Sequence, residues 1–428
     1  VICAGASIAI AVTLLTPVGS TGTDSAPTVA QAPRRSDLPP IVHIILDEHI
    51  GLAGIPTDLP GGAELKRELE EFFARNGFAF YPRAFSPYYG TVESLSNLLQ
   101  ATVERTVGAN LVRAESGELR PGRNLWFETL RARGYKLRVT ATNYLALCNS
   151  WEETESCDLA PAGSLEFLLR TPVNSRQRAW VVMLSFIDTA VIYRWSRILY
   201  DLAIYQNHGT LGDMLEREAL EMPNLGPLAA PKFVRKLTEE LARAPEGTAW
   251  IAHFLLPHRS FMFDAACGVR PDIRDWGRGR GSRWIAEEHN SVETRASAYV
   301  RYFDQIRCTY RLLDETLAAM RGAGIFERAI VVIHGDHGSR LEINEVREVA
   351  NEQLTERDLI DSYSTLFALR MPGIAPGPRP EQRSVHALFA ELLMGRAIEG
   401  ESGEVFLLPV GEGNGRSFSA RLMPELAR

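Results

Sequence analysis

The chain has 428 residues, of which 45% are hydrophobic and 23% are charged, and its formal net charge is −7. This length allows one large or two ordinary domains with substantial cores, and the composition is that of a globular protein. The negative charge gives no electrostatic basis for binding nucleic acid, which we exclude as a partner.

An apolar segment begins the sequence. Val1–Gly19 carries no charged residue and approaches the roughly 20 residues that a helix needs to cross a bilayer. We expect a membrane segment over residues 1–19, complete or truncated, and a linker rich in Ser, Thr, Ala and Pro over residues 20–40. A signal peptide cleaved after "AQA" (Ala30–Ala32) is the alternative.

From Ile41 onward, buried strands alternate with helices. "IVHIILDEH" is a continuous apolar run, typical of a strand covered on both faces. Further strands are predicted in "KLRVTAT", "WIAHFLLPH" (Trp250–His258) and "RAIVVIHGDHG", with helices in "AELKRELEEFFARNG", "LWFETLRARG" and about Val292 to Arg321. This order predicts an α/β domain with a mostly parallel central sheet flanked by helices over residues 41–395. A hairpin or loose tail follows over residues 396–428.

Reactive side chains follow three of the predicted strands. Asp47 and Glu48 end the first, His258 ends a later one, and Asp336 and His337 end the last. Sites in such sheets form at the carboxyl ends of strands, so we expect these groups to meet. Neighbouring strand residues point to opposite faces, and we expect the glycines that flank Asp336 and His337 to permit the necessary turn.

A hydroxyl group completes the set. In "SPYYGTVESLSNLLQATV", Thr91 follows Gly90 and precedes leucines at helical spacing. Thr91 is therefore predicted at a helix N-terminus, where anions such as phosphate are favoured. A metal beside this hydroxyl would make threonine a nucleophile. The alternative is an ordinary helix-capping threonine.

These motifs, taken in order, resemble the alkaline phosphatase superfamily. "DE" after the first strand, "TVESL", "PH" and "GDHG" are similar to its sulfatase-like branch, which includes lipoteichoic acid synthases and phosphoethanolamine transferases. The resemblance implies a membrane-anchored enzyme with its catalytic domain on the extracytoplasmic, periplasmic side. It also implies that Asp47 or Glu48 holds one divalent metal, together with the ligands Thr91, Asp336 and His337.

The resemblance also implies that His258 contacts the substrate anion, and Arg340 and His386 are further substrate-binding candidates. Oxygen and imidazole ligands favour Zn²⁺ or Mn²⁺ over Mg²⁺ or Ca²⁺. Related transferases have a single glutamate in the first motif, whereas sulfatases have two adjacent acids there, so both Asp47 and Glu48 are candidates. His49, His334 and His386 are available for a second metal.

The predicted function is metal-dependent hydrolysis or transfer of phosphate esters through a covalent phosphothreonine, on a small-molecule or lipid-headgroup substrate. None of the five cysteines stands in the C-x-P-x-R context of a sulfatase nucleophile. Sulfate ester hydrolysis remains an alternative function, as does a degenerate, membrane-anchored binding domain without activity.

Four cysteines follow the linker and permit two disulfides in an oxidising compartment. The pairs Cys148–Cys157 and Cys267–Cys308 are one interpretation, and four unrelated buried thiols are the other.

Overall fold

The computed structural model describes residues 38–104, 106, 108–113, 119–142, 145–148, 154–160, 173–179, 182, 226–243, 246–271, 292–344, 346, 353–398, 406–407, 421–422, 424 and 426. The elements below belong to one compact unit, Arg34–Arg428. The predicted membrane segment lies outside the described residues, as does nearly all of the linker. Within the described ranges, no helix has both the length and the apolar character needed to span a bilayer.

Short strands and longer buried strands alternate with the helices. The strands are β1 (Ile41–Leu46), β2 (Ala79–Phe80), β3 (Ala84–Phe85), β4 (Leu111–Arg113), β5 (Leu119–Pro121), β6 (Lys136–Thr142), β7 (Ser156–Ala160), β8 (Thr248–Phe254), β9 (Ile330–Gly335), β10 (Phe367–Arg370), β11 (Gly377–Pro378), β12 (Arg383–Ser384), β13 (Phe406–Leu407) and β14 (Arg421–Leu422).

Eight of these strands form one sheet, in the order β11-β2-β10-β9-β1-β8-β6-β7. β10 runs antiparallel to both of its neighbours, and the other pairings are parallel. The prediction of a mostly parallel sheet is thus confirmed. Separate pairs are formed by β3 with β12, β4 with β5, and β13 with β14.

Helices cover the sheet on both faces. They are α1 (Gly62–Arg75), α2 (Thr91–Leu98), α3 (Leu125–Ala132), α4 (Ala230–Leu241), α5 (Val292–Gly322), α6 (Glu356–Tyr363) and α7 (Val385–Phe389), and a π-helical turn over Ala390–Met394 extends α7. Each predicted helix quoted above is present. α6 begins with a reciprocal cap, in which the side chains of Thr355 and Asp358 each bond the other residue's backbone N–H.

The central strand β1 contributes to two hydrophobic cores. Val42, Ile44 and Leu46 join the core beneath α1, α4 and α5, whereas Ile41 and Ile45 join the core beneath α2, α3 and α7. All five side chains are buried, and each contributes roughly 1.5–3 kcal/mol of hydrophobic free energy. A strand covered on both faces must be largely apolar, and β1 is apolar at every position except the buried His43.

The structure corrects the predicted end of one strand and decides between the two interpretations of the cysteines. β8 ends at Phe254, not at His258, so His258 belongs to the following loop. Both disulfides are present, with S–S distances of 2.14 Å for Cys148–Cys157 and 2.06 Å for Cys267–Cys308. The interpretation of four unrelated thiols was therefore wrong.

Candidate functional site

The candidate site lies where the three central strands end. Ile45 of β1 lies in register with His253 of β8 and with His334 of β9, so these residues share one face of the sheet. Asp47 and Asp336 each come two residues later, and the Asp47 backbone N–H still bonds the carbonyl of Phe254 at 3.1 Å. Parallel pairing therefore delivers two carboxylates and one imidazole to the same edge of the sheet.

Asp47, His253 and Asp336 have the arrangement of a metal site. One ligand atom from each lies within 4.8 Å of the others, and all three residues are buried. Both oxygens of Asp47, both ring nitrogens of His253 and Oδ2 of Asp336 have no hydrogen-bond partner. Buried polar atoms are costly to leave unpaired, so this donor set fits a divalent cation, which would satisfy them together.

The two aspartates differ in their electrostatics. Burial, followed by the charge of Asp47, raises the pKa of Asp336. Burial also acts to raise the pKa of Asp47, but attraction to His258, His253 and His337 outweighs it and lowers that pKa. Two carboxylates this close repel each other, and a bound cation would relieve the repulsion.

His337 connects this group to Thr91. Its Nε2 lies 3.3 Å from Oδ2 of Asp336, 3.8 Å from Oδ1 of Asp47 and 3.3 Å from Oγ1 of Thr91. Its Nδ1 lies 2.9 Å from the carbonyl oxygen of Gly338. A carbonyl oxygen accepts only, so Nδ1 carries the proton and Nε2 presents its lone pair to the site.

Thr91 is the first residue of α2, and Gly90 is the residue that caps the helix. No side-chain cap is formed there, so the alternative of a capping threonine was wrong. The helix is held in place from behind, because Ser94 donates from its hydroxyl to the carbonyl of Asp336 at 2.6 Å. Thr91 itself is partly exposed.

The glycines around Asp336 act differently from the prediction. Neither Gly335 nor Gly338 has a positive φ. A Cβ on Gly335 would lie 2.2 Å from Oγ1 of Thr365, and one on Gly338 would lie 2.0 Å from the carbonyl oxygen of Asp361. Gly338 allows close packing against the last turn of α6 and Gly335 against the residues that follow it, and neither supplies an unusual backbone turn.

The chain turns instead at Glu48, whose backbone has the left-handed conformation with φ of 60°. Its side chain turns away from Asp47 and accepts from the backbone N–H of Arg259 at 2.9 Å and from Nε of Arg259 at 3.2 Å. It also accepts from Arg340, and Nε2 of His258 lies 3.7 Å from Oε1. Glu48 is thus paired with arginine side chains, and it does not belong to the group of three residues that could hold a metal.

His258 lies between the two acids. Its Nδ1 is bonded to the carbonyl of Arg259, and its Nε2 faces Glu48. Burial lowers the pKa of His258, while the charge of Asp47 acts in the opposite direction. The loop is anchored by Gln305, whose side-chain amide donates to the carbonyls of Pro257 at 3.0 Å and His258 at 2.7 Å.

The other predicted histidines support the structure around the site. Nε2 of His386 donates to the carbonyl of Ser94 at 2.9 Å, so His386 braces α2 from the core side. Nε2 of His334 lies 2.8 Å from Nε2 of His43, and Nδ1 of His49 bonds the carbonyl of Ile50. The structure therefore does not bring His49, His334 and His386 together as a second metal site.

Sequence reasoning missed two residues. His253 lies inside an apolar run, and only the pairing of β8 with β1 brings it beside Asp47. Arg259 follows a recognised histidine, but its contact with Glu48 depends on the loop conformation. The sequence signal for His253 was its position two residues after Ile251, which places both side chains on the same face of the strand. The catalytic and metal-binding roles of the candidate residues stay predictions.

Solved structures resemble this chain in fold, whereas known sequences do not match it. No protein-family model matches the sequence, and no curated protein matches it. The 2-O GAG sulfatase BT1596 is 14% identical with a TM-score of 0.51, over 85% of this chain and 72% of that one. Phosphonate monoester hydrolase of Agrobacterium radiobacter is 15% identical with a TM-score of 0.49, over 86% and 80% of the two chains. The hydrolase SpPMH from Silicibacter pomeroyi is 14% identical with a TM-score of 0.47, over 83% and 72%.

The TM-score with the sulfatase shows a shared fold, although the sequences have diverged widely. The resemblance to lipoteichoic acid synthases and phosphoethanolamine transferases stays a prediction. At the level of architecture, the chain shares the fold of the 2-O GAG sulfatase BT1596.

Proposed function

We propose that this protein is a metal-dependent enzyme that cleaves phosphate esters, with Thr91 as its nucleophile. The observation that carries the proposal is the position of the Thr91 hydroxyl, 3.3 Å from Nε2 of His337, beside carboxylate oxygens of Asp47 and Asp336 that lack hydrogen-bond partners. A hydroxyl next to a cation site is the arrangement that nucleophilic catalysis requires.

The metal would be held by Asp47, His253, Asp336 and His337. Two carboxylates and two imidazoles favour Zn²⁺ or Mn²⁺. When bound, such an ion favours the deprotonated form of a neighbouring hydroxyl and offsets negative charge on phosphoryl oxygens. The chain's own contribution is a fixed geometry, because two backbone N–H groups, those of Glu48 at 3.1 Å and His337 at 2.9 Å, hold Oδ1 of Asp336.

The reaction proceeds in two steps. The alkoxide of Thr91 attacks phosphorus, the Thr91–phosphorus bond forms, and the bond to the departing alcohol breaks. The imidazolium form of His258, which the charge of Asp47 favours, gives that alcohol a proton from Nε2 and becomes neutral. Neutral His258 then takes a proton from water, the hydroxide attacks phosphorus, and Thr91 leaves as its alkoxide. A second alcohol in place of water would give transfer.

Sulfate ester hydrolysis is the second candidate, and the fold shared with a sulfatase favours it. The absence of the sulfatase cysteine motif around all five cysteines favours phosphorus chemistry. Parallel assays of 4-nitrophenyl sulfate, 4-nitrophenyl phosphate and bis(4-nitrophenyl) phosphate separate the two functions. Faster cleavage of the sulfate would reverse our assignment.

The nucleophile is tested by substitution. We expect Thr91→Ala to lose on the order of 10³-fold or more in kcat, as removal of a nucleophile does, while Thr91→Ser keeps its hydroxyl and measurable activity. Mass spectrometry of a quenched reaction should show phosphate on the peptide that carries Thr91. Full activity of Thr91→Ala with unchanged metal content would contradict the mechanism.

We also propose that the domain works in an oxidising compartment, attached to a membrane. The two disulfides support the first part, and the apolar sequence of Val1–Gly19 supports the second. Fractionation of cells that produce the chain with residues 1–40 tests the location.

A further inference from the structure

We propose that Arg259 and Arg340, held in place by Glu48, form a second anion-binding subsite beside the metal centre. The substrate would accordingly carry an oxyanion, such as a carboxylate, phosphate or sulfate, in addition to the ester that is cleaved. This inference deepens the proposed function and rests on it for the identity of the cleaved group.

The first observation is that Glu48 is more deeply buried than the two arginines that contact it. The side chain of Glu48 is 0% exposed, whereas the side chains of Arg259 and Arg340 keep 17% and 11% of their surface exposed. The carboxylate is therefore inaccessible to a ligand, whereas both arginine side chains keep part of their surface in contact with solvent. Two guanidinium groups share this one carboxylate, whose single negative charge does not balance their two positive charges.

The second observation is that Arg340 is rigidly positioned. Its φ is 57°, in the left-handed region that non-glycine residues rarely adopt, and its guanidinium lies 5.0 Å from the centre of the Tyr89 ring. Such a conformation persists when surrounding contacts impose it. A flexible surface arginine would need no such constraint, so the geometry indicates a defined task.

Asp361 supplies that constraint from below. Its carboxylate accepts from the backbone N–H groups of Leu341 at 2.6 Å and Glu342 at 2.9 Å, and from the hydroxyls of Ser339 and Tyr299. The three bonds from Ser339, Leu341 and Glu342 fix the segment on both sides of Arg340, and the bond from Tyr299 holds Asp361 itself. Asp361 and Tyr299 are thus positioning residues for the arginine, remote from the reacting atoms.

The third observation places the subsite next to the metal centre. The backbone N–H of Glu48 bonds Oδ1 of Asp336 at 3.1 Å, and Nε2 of His258 lies 3.7 Å from Oε1 of Glu48. Glu48 therefore connects the two sites, because its side chain contacts the arginine pair and its backbone N–H contacts Asp336. A planar, forked guanidinium is suited to bidentate recognition of an oxyanion, so the second negative group of the substrate would bind here while its ester lies against Thr91.

A pair of matched substrates tests the subsite. Phenyl 4-nitrophenyl phosphate and 4-carboxyphenyl 4-nitrophenyl phosphate release the same 4-nitrophenolate and differ in one carboxylate. We expect wild-type kcat/KM to be on the order of tenfold higher for the carboxylated ester, mainly through a lower KM. Arg340→Gln and Arg259→Gln should each bring this ratio toward one. Arg123→Gln is the matched control, because Arg123 pairs with Glu128 on the surface, and it should keep the wild-type ratio.

Two outcomes would overturn the subsite. One is a wild-type ratio near one. The other is an equal loss on both esters in the arginine variants with the ratio unchanged, since the guanidinium groups would then bind the reacting phosphoryl group. A third measurement examines the role of Glu48, because Glu48→Gln should keep its metal when analysed by mass spectrometry, and loss of the metal would make Glu48 a ligand.

A binding experiment separates this inference from the proposed function. In wild-type protein and in Thr91→Ala, calorimetry should show tighter binding of 4-carboxyphenylphosphonate than of phenylphosphonate, and the difference should vanish in Arg340→Gln. If no ester is cleaved but this difference is found, the proposed function fails and the subsite stands. If esters are cleaved without the difference, the subsite fails alone.

Discussion

At the scale of single residues, Asp47 and Glu48 show how one backbone angle separates two roles. They are neighbours and both fully buried, yet Asp47 faces imidazoles and Asp336, whereas Glu48 faces arginines. The φ of 60° at Glu48 produces the divergence, and the hydroxyl of Tyr302 fixes it by donating to the carbonyl of Glu48. The neighbouring histidines therefore lower the pKa of Asp47, whereas Glu48 pairs with arginines.

The buried histidine His386 predicts a dependence of stability on pH. Burial lowers its pKa to about 3, well below the ordinary 6.5, even though its bond to Ser94 acts in the opposite direction. The unfolded chain therefore takes up a proton from about pH 6.5 downward, while the folded protein takes it up only near pH 3. The stabilisation is complete above pH 6.5 and is lost progressively toward pH 3, by roughly 2 kcal/mol at pH 5.

Urea unfolding at pH 7 and pH 5 measures this contribution. We expect His386→Asn, whose amide does not titrate, to lose less stability between the two pH values than the wild type does, by roughly 2 kcal/mol. An unchanged difference between pH 7 and pH 5 would show that His386 does not stay neutral in the folded protein.

At the scale of elements, the loop after β8 depends on α5. Gln305 of α5 bonds the carbonyl of His258, and the disulfide Cys267–Cys308 links the end of the same loop to the same helix. His258 and Arg259 thus owe their position to a helix that contributes no predicted catalytic side chain. This helix is 31 residues long.

The two disulfides should differ in their effect on stability. In the chain-entropy account, a cross-link stabilises more when it closes a longer loop. The separations are 41 residues for Cys267–Cys308 and 9 for Cys148–Cys157. We expect the double serine variant of the first pair to lose about 4 kcal/mol, and that of the second about 2.5 kcal/mol.

Chemical unfolding of both double variants measures these losses. The variant that lacks Cys267–Cys308 should also have reduced kcat/KM, because His258 and Arg259 lie in the released loop. A larger stability loss in the variant without Cys148–Cys157 would contradict the loop-length argument.

At the scale of the whole molecule, the metal should contribute to folding stability. Without a cation, Asp47 and Asp336 are buried side by side, and burial together with the charge of Asp47 raises the pKa of Asp336. A ligand that binds only the folded state stabilises it by about 4 kcal/mol at 1,000 times its Kd. We therefore expect chelation by EDTA to lower Tm, and added Zn²⁺ or Mn²⁺ to restore it.

Asp336→Asn provides the control for chelation. This variant lacks one charge of the repelling pair, so its metal-free form should be at least as stable as the metal-free wild type, and EDTA should change its Tm little. Differential scanning calorimetry of both proteins, with and without EDTA, makes the comparison. A wild-type Tm that is insensitive to EDTA and to both metals would contradict a structural contribution of the site.

Much of this architecture could be predicted from the sequence because the signals are periodic. Continuous apolar runs identified β1 and β9, and leucine spacing identified the helix that begins at Thr91. The antiparallel direction of β10 could not be predicted, because four residues, "FALR", carry no directional signal. The turn at Glu48 was equally hidden, since it depends on tertiary contacts made by Tyr302 and Arg259. Local patterns therefore reveal which residues reach the edge of the sheet, and only the fold determines which of them face each other.

The order of the central strands has a consequence for synthesis of the protein. The middle strand of the site is made first, and its partners on either side follow roughly two hundred and three hundred positions later. A growing chain on the ribosome therefore lacks the second aspartate until most of it has emerged, and such distant pairings form slowly. The group formed by Asp47, His253 and Asp336 is therefore complete only in a nearly finished polypeptide, so partial translation products would lack the proposed metal site.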